Sequence, residues 1–141
     1  MLNTSEQFVI AEVQKFLAHR FNLPIQPAWS RSATARYLKK QGLLGAQKAT
    51  ITQWELELCW YIKDYRDRWP LDKEGNPKSG YPLSQYQFSV IVRLAYVLTH
   101  LRPYLNGSRY IGTIQKTVKN REIQRRYLSY AVWQYDQSNA A

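Results

Sequence analysis

Between Phe88 and Leu101 the chain reads FSVIVRLAYVLTHL, and a helix of this sequence carries apolar side chains nearly all the way round. Such a helix must be surrounded by others, which predicts the centre of a helical bundle. Ser84 and Gln87 stand just before it at the spacing of a capping box, so the helix has a defined start. The apolar stretch is 14 residues long and includes Arg93 and His100. A bilayer span needs about 20 apolar residues without such charges, so no membrane partner is expected.

The rest of the chain reads as helices arranged around this one. Thr4 and Gln7 form a second capping box. After them Val9, Ile10, Val13, Phe16, Leu17 and Phe21 share one side at 3.6-residue spacing, and Pro24 and Pro27 end the element. A second helix is predicted from Arg31 to Gln41, capped by Ser30 or Ser32 and closed by Gly42. A third begins at Thr52, with Glu55 completing a capping box, and runs to Trp69 before Pro70. Residues 70–82, rich in proline and glycine, read as an exposed loop or short hairpin. The central helix follows as far as Arg102, with Pro103 and the Asn106-Gly107 turn beyond it. From Arg109 to Tyr135 the period holds but the apolar face jumps. Ile111, Ile114 and Val118 share one face, while Ile123, Tyr127, Leu128, Ala131 and Tyr135 share a roughly opposite one. Either the helix breaks at Asn120, a good cap, or a straight helix is sandwiched between two partners. Residues 136–141 are expected to fray. No period-2 strand pattern or internal repeat is present, and the fold expected is an all-α, compact bundle of five or six helices, a single domain spanning residues 1–141.

Catalysis needs a constellation that this sequence does not assemble. His19 and His100 fall on different helices, with His19 on a polar side and His100 a packing residue. Glu55 and Glu57 are two apart and face different ways. Asp64 and Asp67 can share a side, but Lys63, Arg66 and Arg68 stand ready to pair with them. Asp72, Glu74 and Asn76 resemble the start of a calcium loop, yet the glycine is misplaced and Pro77 interrupts it. The lone cysteine, Cys59, excludes an internal disulfide framework and cysteine-pair metal sites, and reads as an inert core thiol. No catalytic residue, metal site or cofactor is expected. The start MLNTSEQF lacks the pattern of a secretory signal, and the expected setting is cytoplasmic.

Charge is the informative feature. The chain carries 20 Lys and Arg against 10 Asp and Glu, a net charge of +10. Nearly all of that excess sits in two stretches. Residues 30–48 hold five bases and no acid, and residues 108–141 hold six bases and two acids. Arg36, Lys39 and Lys40 fall on one side of the second helix. Arg121, Arg125 and Arg126 lie opposite the Ile123/Tyr127/Leu128 face, with Trp133 on their side, while Lys116 and Lys119 project away from Ile114 and Val118. Two uncompensated basic ridges on anchored helices point to phosphates as the partner. The candidate nucleic-acid contacts are Arg31, Arg36, Lys39, Lys40, Lys48, Arg109, Lys116, Lys119, Arg121, Arg125 and Arg126. No module that reads bases in a groove is present, and the connector GLLGAQKATI is too long for a helix-turn-helix.

The chain also has 11 Tyr and 5 Trp, more than a bundle of this size is expected to bury. Trp29, Trp69, Tyr104 and Trp133 sit near helix ends or loops and are candidate contacts to protein neighbours.

This profile resembles the small, all-helical subunits of Cascade-type CRISPR effector complexes of type I, such as I-D and I-B. The stretches SRSATARYLKKQGLLGAQK and GSRYIGTIQKTVKNREIQRR carry the resemblance, each a basic segment beside an apolar anchor. It implies a non-catalytic, nucleic-acid-binding subunit in antiviral defence, packed against other proteins and possible copies of itself. Its basic residues would hold the DNA target strand, the displaced strand or the guide RNA duplex. Two other classes fit the residues: a free-standing DNA- or RNA-binding regulator, and an adaptor for an acidic protein.

Overall fold

In a computed structural model the protein is an all-α bundle. The structure describes residues 4–78, 80–102 and 108–138; for residues 4–6 and 108–110 it describes the backbone alone. The helices are α1 (Thr4–Leu17), α2 (Arg31–Lys40), α3 (Lys48–Glu57), α4 (Lys63–Arg66), α5 (Gln85–Leu101), α6 (Ser108–Lys119), α7 (Arg121–Ile123) and α8 (Tyr130–Ser138). A 3-10 turn at Cys59–Tyr61 joins α3 to α4, and a π turn at Gln124–Leu128 continues α7. Among the described residues there is no strand, only two isolated antiparallel bridges, Trp29 with Leu83 and Leu71 with Pro77. None of the described helices is long and apolar enough to cross a membrane.

α5 is the hub, as its sequence requires. Its capping box is formed in both directions: Gln87 N–H donates to the Ser84 hydroxyl, and Ser84 N–H to the Gln87 side chain. Phe88, Ile91, Leu94, Ala95, Leu98 and Leu101 are fully enclosed, and α1, α2 and α4 pack against the helix. Of the two candidate caps of α2, Ser30 is the one used, accepting from Ala33 N–H, and Gly42 follows with φ 71°. Gly45, φ 93°, is the tighter turn. A Cβ there would lie 2.7 Å from both Leu38 and Trp54, so α2 and α3 can close on each other only over a glycine.

Several expectations are corrected. α1 stops at Leu17, short of Phe21. Its end is held by Arg93 of α5, whose guanidinium donates to the carbonyls of Leu17 and His19. A tertiary donor thus satisfies carbonyls that a further helical turn would have used. His19 and His100 converge on one ring, stacking 4.4 Å and packing 4.3 Å from Tyr96, and His100 is exposed. α3 begins at Lys48, before Thr52, and Glu55 caps nothing because it is buried.

The predicted helix 52–69 is broken, although Ile51, Trp54, Leu58, Ile62 and Tyr65 keep helical period. Side chains from elsewhere compete for its backbone. Gln115 donates to Glu57 O, and Gln124 donates to Tyr61 O and accepts from Lys63 N–H. Inserted donors of this kind are a standard cause of helix kinks. The break at Asn120 is present, with its side chain accepting from Ile123 N–H. A second break follows at Ser129, whose hydroxyl accepts from Val132 N–H. α8 then runs to Ser138, and residues 139–141 of the expected tail lie outside the described residues. These breaks raise the number of helical pieces above the five or six expected without changing the class.

Residues 70–78 form a small hairpin. Lys78 N–H donates to Pro70 O, and the Asp72 carboxylate accepts from the amides of Glu74 and Asn76. That oxygen closes a turn, which accounts for the calcium-like spacing.

Candidate nucleic-acid interface

The largest aromatic side chains are spent on the core. Trp29 is 3% exposed and stacks on Phe88 at 3.7 Å, with its indole N–H donated to Gln85. Trp69 is 6% exposed among Trp60, Tyr65 and Tyr81, and donates to Lys78 O. Neither is a contact surface for another protein, contrary to expectation. Both flank helices in sequence, but the connectors fold back over the bundle and bury them. Trp133 is half-buried against Tyr86 and Tyr130, and its indole N–H is enclosed without a partner among the described residues. It does not share a side with Arg126, since the break at Ser129 re-aims α8. Tyr104 lies outside the described residues.

Arg31 is also corrected. It is 7% exposed and forms a two-pronged ion pair with Glu55, itself 1% exposed, at 2.6 and 3.0 Å. It donates further to Tyr81 O, and its guanidinium lies 4.5 Å from the Tyr81 ring. Glu55 completes its shell with the hydroxyls of Tyr65 and Tyr81. Burial alone would lower the Arg31 pKa, but the bond to Glu55 and its charge outweigh that and hold it above its ordinary value. Arg31 stands first in α2, where its side chain turns inward, and it holds the bundle together.

The remaining α2 bases, Arg36, Lys39 and Lys40, are exposed, and Lys48 is exposed at the first turn of α3. Arg109 lies in α6, with its side chain outside the described set.

The C-terminal bases are divided by α7. Arg121, Gln124, Arg125 and Leu128 face one way, with Lys119, into a groove of about 660 Å³ whose other wall is Tyr61 to Arg66. Lys116 and Arg126 face the other way. The groove therefore gathers five bases: Lys63, Arg66, Lys119, Arg121 and Arg125. Two of these are engaged. Lys63 bonds Asp67 at 2.7 Å, and Arg125 grips both oxygens of Glu122. The Lys63 bond and charge hold Asp67 below the usual carboxylate range, and Arg125 does the same for Glu122. The other three carry no ion pair among the described residues. The Lys119 ammonium lies 4.2 Å from the Tyr61 ring centroid, and Arg66 lies 5.6 Å from that of Trp60. Asp64 also lines the groove, but its carboxylate accepts from Tyr130 N–H.

Gln124 ties the two walls together. Its amide donates to Tyr61 O and Val118 O, both at 2.7 Å, and its oxygen accepts from Lys63 N–H. The sequence reading missed Lys63 and Arg66 because residues 49–69 hold four acids and three bases. Their three-residue spacing was the available signal. What that balance hid is that Glu55 is buried and Asp67 is already paired.

No protein-family model, curated protein or solved structure matches this chain.

Proposed function

We propose that this chain is a non-catalytic nucleic-acid-binding protein that holds a phosphodiester strand in the groove between Tyr61–Arg66 and Lys119–Arg125. The observation that carries this reading is the convergence of Arg66, Lys119 and Arg121 on one concave surface, none of them in an ion pair among the described residues. Phosphate contacts by such side chains give affinity without sequence selection. Arg36, Lys39, Lys40 and Lys48 supply a separate basic surface that lengthens the path for the same backbone. The work is done within a larger nucleoprotein assembly, as in the CRISPR effector small subunits that the sequence resembles. What supports the assembly reading is α8, an outer helix with no fully buried residue, and the exposed Tyr135 on it.

The test is fluorescence anisotropy with labelled oligonucleotides of several unrelated sequences. Arg121→Ala with Lys119→Ala is expected to weaken binding by a similar factor for every sequence, with an unchanged melting temperature. Binding confined to one short sequence, or untouched by the double variant, overturns the reading.

A further inference from the structure

The opposite face of α7 lines a second concave site. A pocket of about 360 Å³ opens between α1 and the α6–α7 corner, within the range of small-molecule sites, roughly 300–1,000 Å³. Its apolar lining comes from Ile10 of α1 and the buried Ile123 of α7. Lys116 and Arg126 both line it, and neither carries an ion pair among the described residues. Glu122 lines it too, but both its oxygens are taken by Arg125 from the groove side. The Asn120 side-chain oxygen is occupied by Ile123 N–H, while Gln14 brings a carboxamide from α1.

Apolar surface beside two cations that carry no ion pair among the described residues suits one chemistry, with the nearby Glu122 charge already gripped by Arg125. A phosphodiester strand spreads its charge along its whole length, whereas this pocket sets two cations beside Ile10 and Ile123 in a small volume. A compact apolar body with a single carboxylate satisfies both halves: the body displaces water from Ile10 and Ile123, and the head takes charge-assisted bonds from Arg126 and Lys116. We propose that this pocket is a binding site for a small aromatic or aliphatic carboxylate. The site does not depend on the nucleic-acid reading, since its cations are not those of the groove.

Three probes separate the parts: acetate, with the head only; naphthylmethanol, with the body only; and naphthoate, with both. Each is titrated into the isotope-labelled chain and followed by amide chemical shifts. Naphthoate is expected to saturate and to move the amides of Gln14, Thr117 and Ile123, while the other two do not saturate over the same range. Arg126→Gln and Lys116→Gln are each expected to weaken naphthoate roughly tenfold, the worth of one charge-assisted hydrogen bond. Arg121→Gln, in the groove across α7, is expected to leave naphthoate binding unchanged. The proposal is overturned if naphthoate fails to saturate, if acetate or naphthylmethanol binds equally well, if the shifts map to Lys63, Arg66 and Arg121, or if Arg126→Gln has no effect.

Discussion

At the scale of single residues, the network around Glu55 has the largest consequences. Arg31 and Glu55 are buried together, so removing one partner strands a charge. Arg31→Met is expected to cost about 3–5 kcal/mol, as for other broken buried pairs, while Arg31→Met with Glu55→Leu recovers much of the loss. Urea unfolding of the three variants checks this; equal losses for the single and double changes would show that packing, not charge, dominates. The same enclosure governs the alkaline limit. Burial, reinforced by Glu55, pushes the Cys59 thiol well above its ordinary 9.0 and the Tyr65 hydroxyl well above 10.0. As pH rises, the unfolded chain releases these protons first, so the folded state binds more protons and stability falls. It is expected to hold below about pH 9 and then to drop by up to about 1.4 kcal/mol per pH unit for each group. Melting temperatures across that range, with tyrosinate absorbance appearing together with unfolding, check the sign.

At the scale of elements, the decisive events are interruptions. The run from Ile51 to Tyr65 has the period of one helix, yet it kinks where Gln115 and Gln124 take its carbonyls. Gln124→Ala removes two bonds at that kink, from Lys63 N–H and to Tyr61 O, and a third to Val118 O on α6. The expected cost is about 1–3 kcal/mol, set by backbone groups left without partners. Because Gln124 spans the groove, the variant is also expected to speed amide exchange at Lys63 while leaving α5 protected. Uniform exchange across both would show that the groove walls do not open separately. The Asn120 break was legible because an asparagine cap coincided with a jump of the apolar face. The Ser129 break was not, because it depends on Asp64 receiving Tyr130 N–H from 66 positions away.

At the scale of the whole molecule, net charge is less telling than where acids fail to meet bases. Of the +10, the groove concentrates Arg66, Lys119 and Arg121, none in an ion pair among the described residues. If these three meet phosphates, log K against log[salt] is expected to fall with a slope of roughly −2 to −3. A titration across salt concentrations measures it. A flat response would count against phosphate contacts, and a much steeper one would draw in Arg36, Lys39 and Lys40 of α2.

Composition and period by themselves determined the all-α class, the central place of α5 with its Ser84–Gln87 box, the Ser30 and Asn120 caps, and the exposed bases of α2. These follow from local rules: an all-round apolar helix must be enclosed, and a cap acts within one turn. The tertiary structure decided the rest. Arg31 and Arg36 are both basic positions of one short helix, yet one is buried against Glu55 and the other faces water. Trp29 flanks a helix and is still enclosed, stacked on Phe88. Arg125 and Arg126 are neighbours on opposite walls of α7. In each case the outcome depends on a residue distant in sequence, Glu55, Phe88 or Tyr61, and pairing across such distances has no periodic trace in the chain.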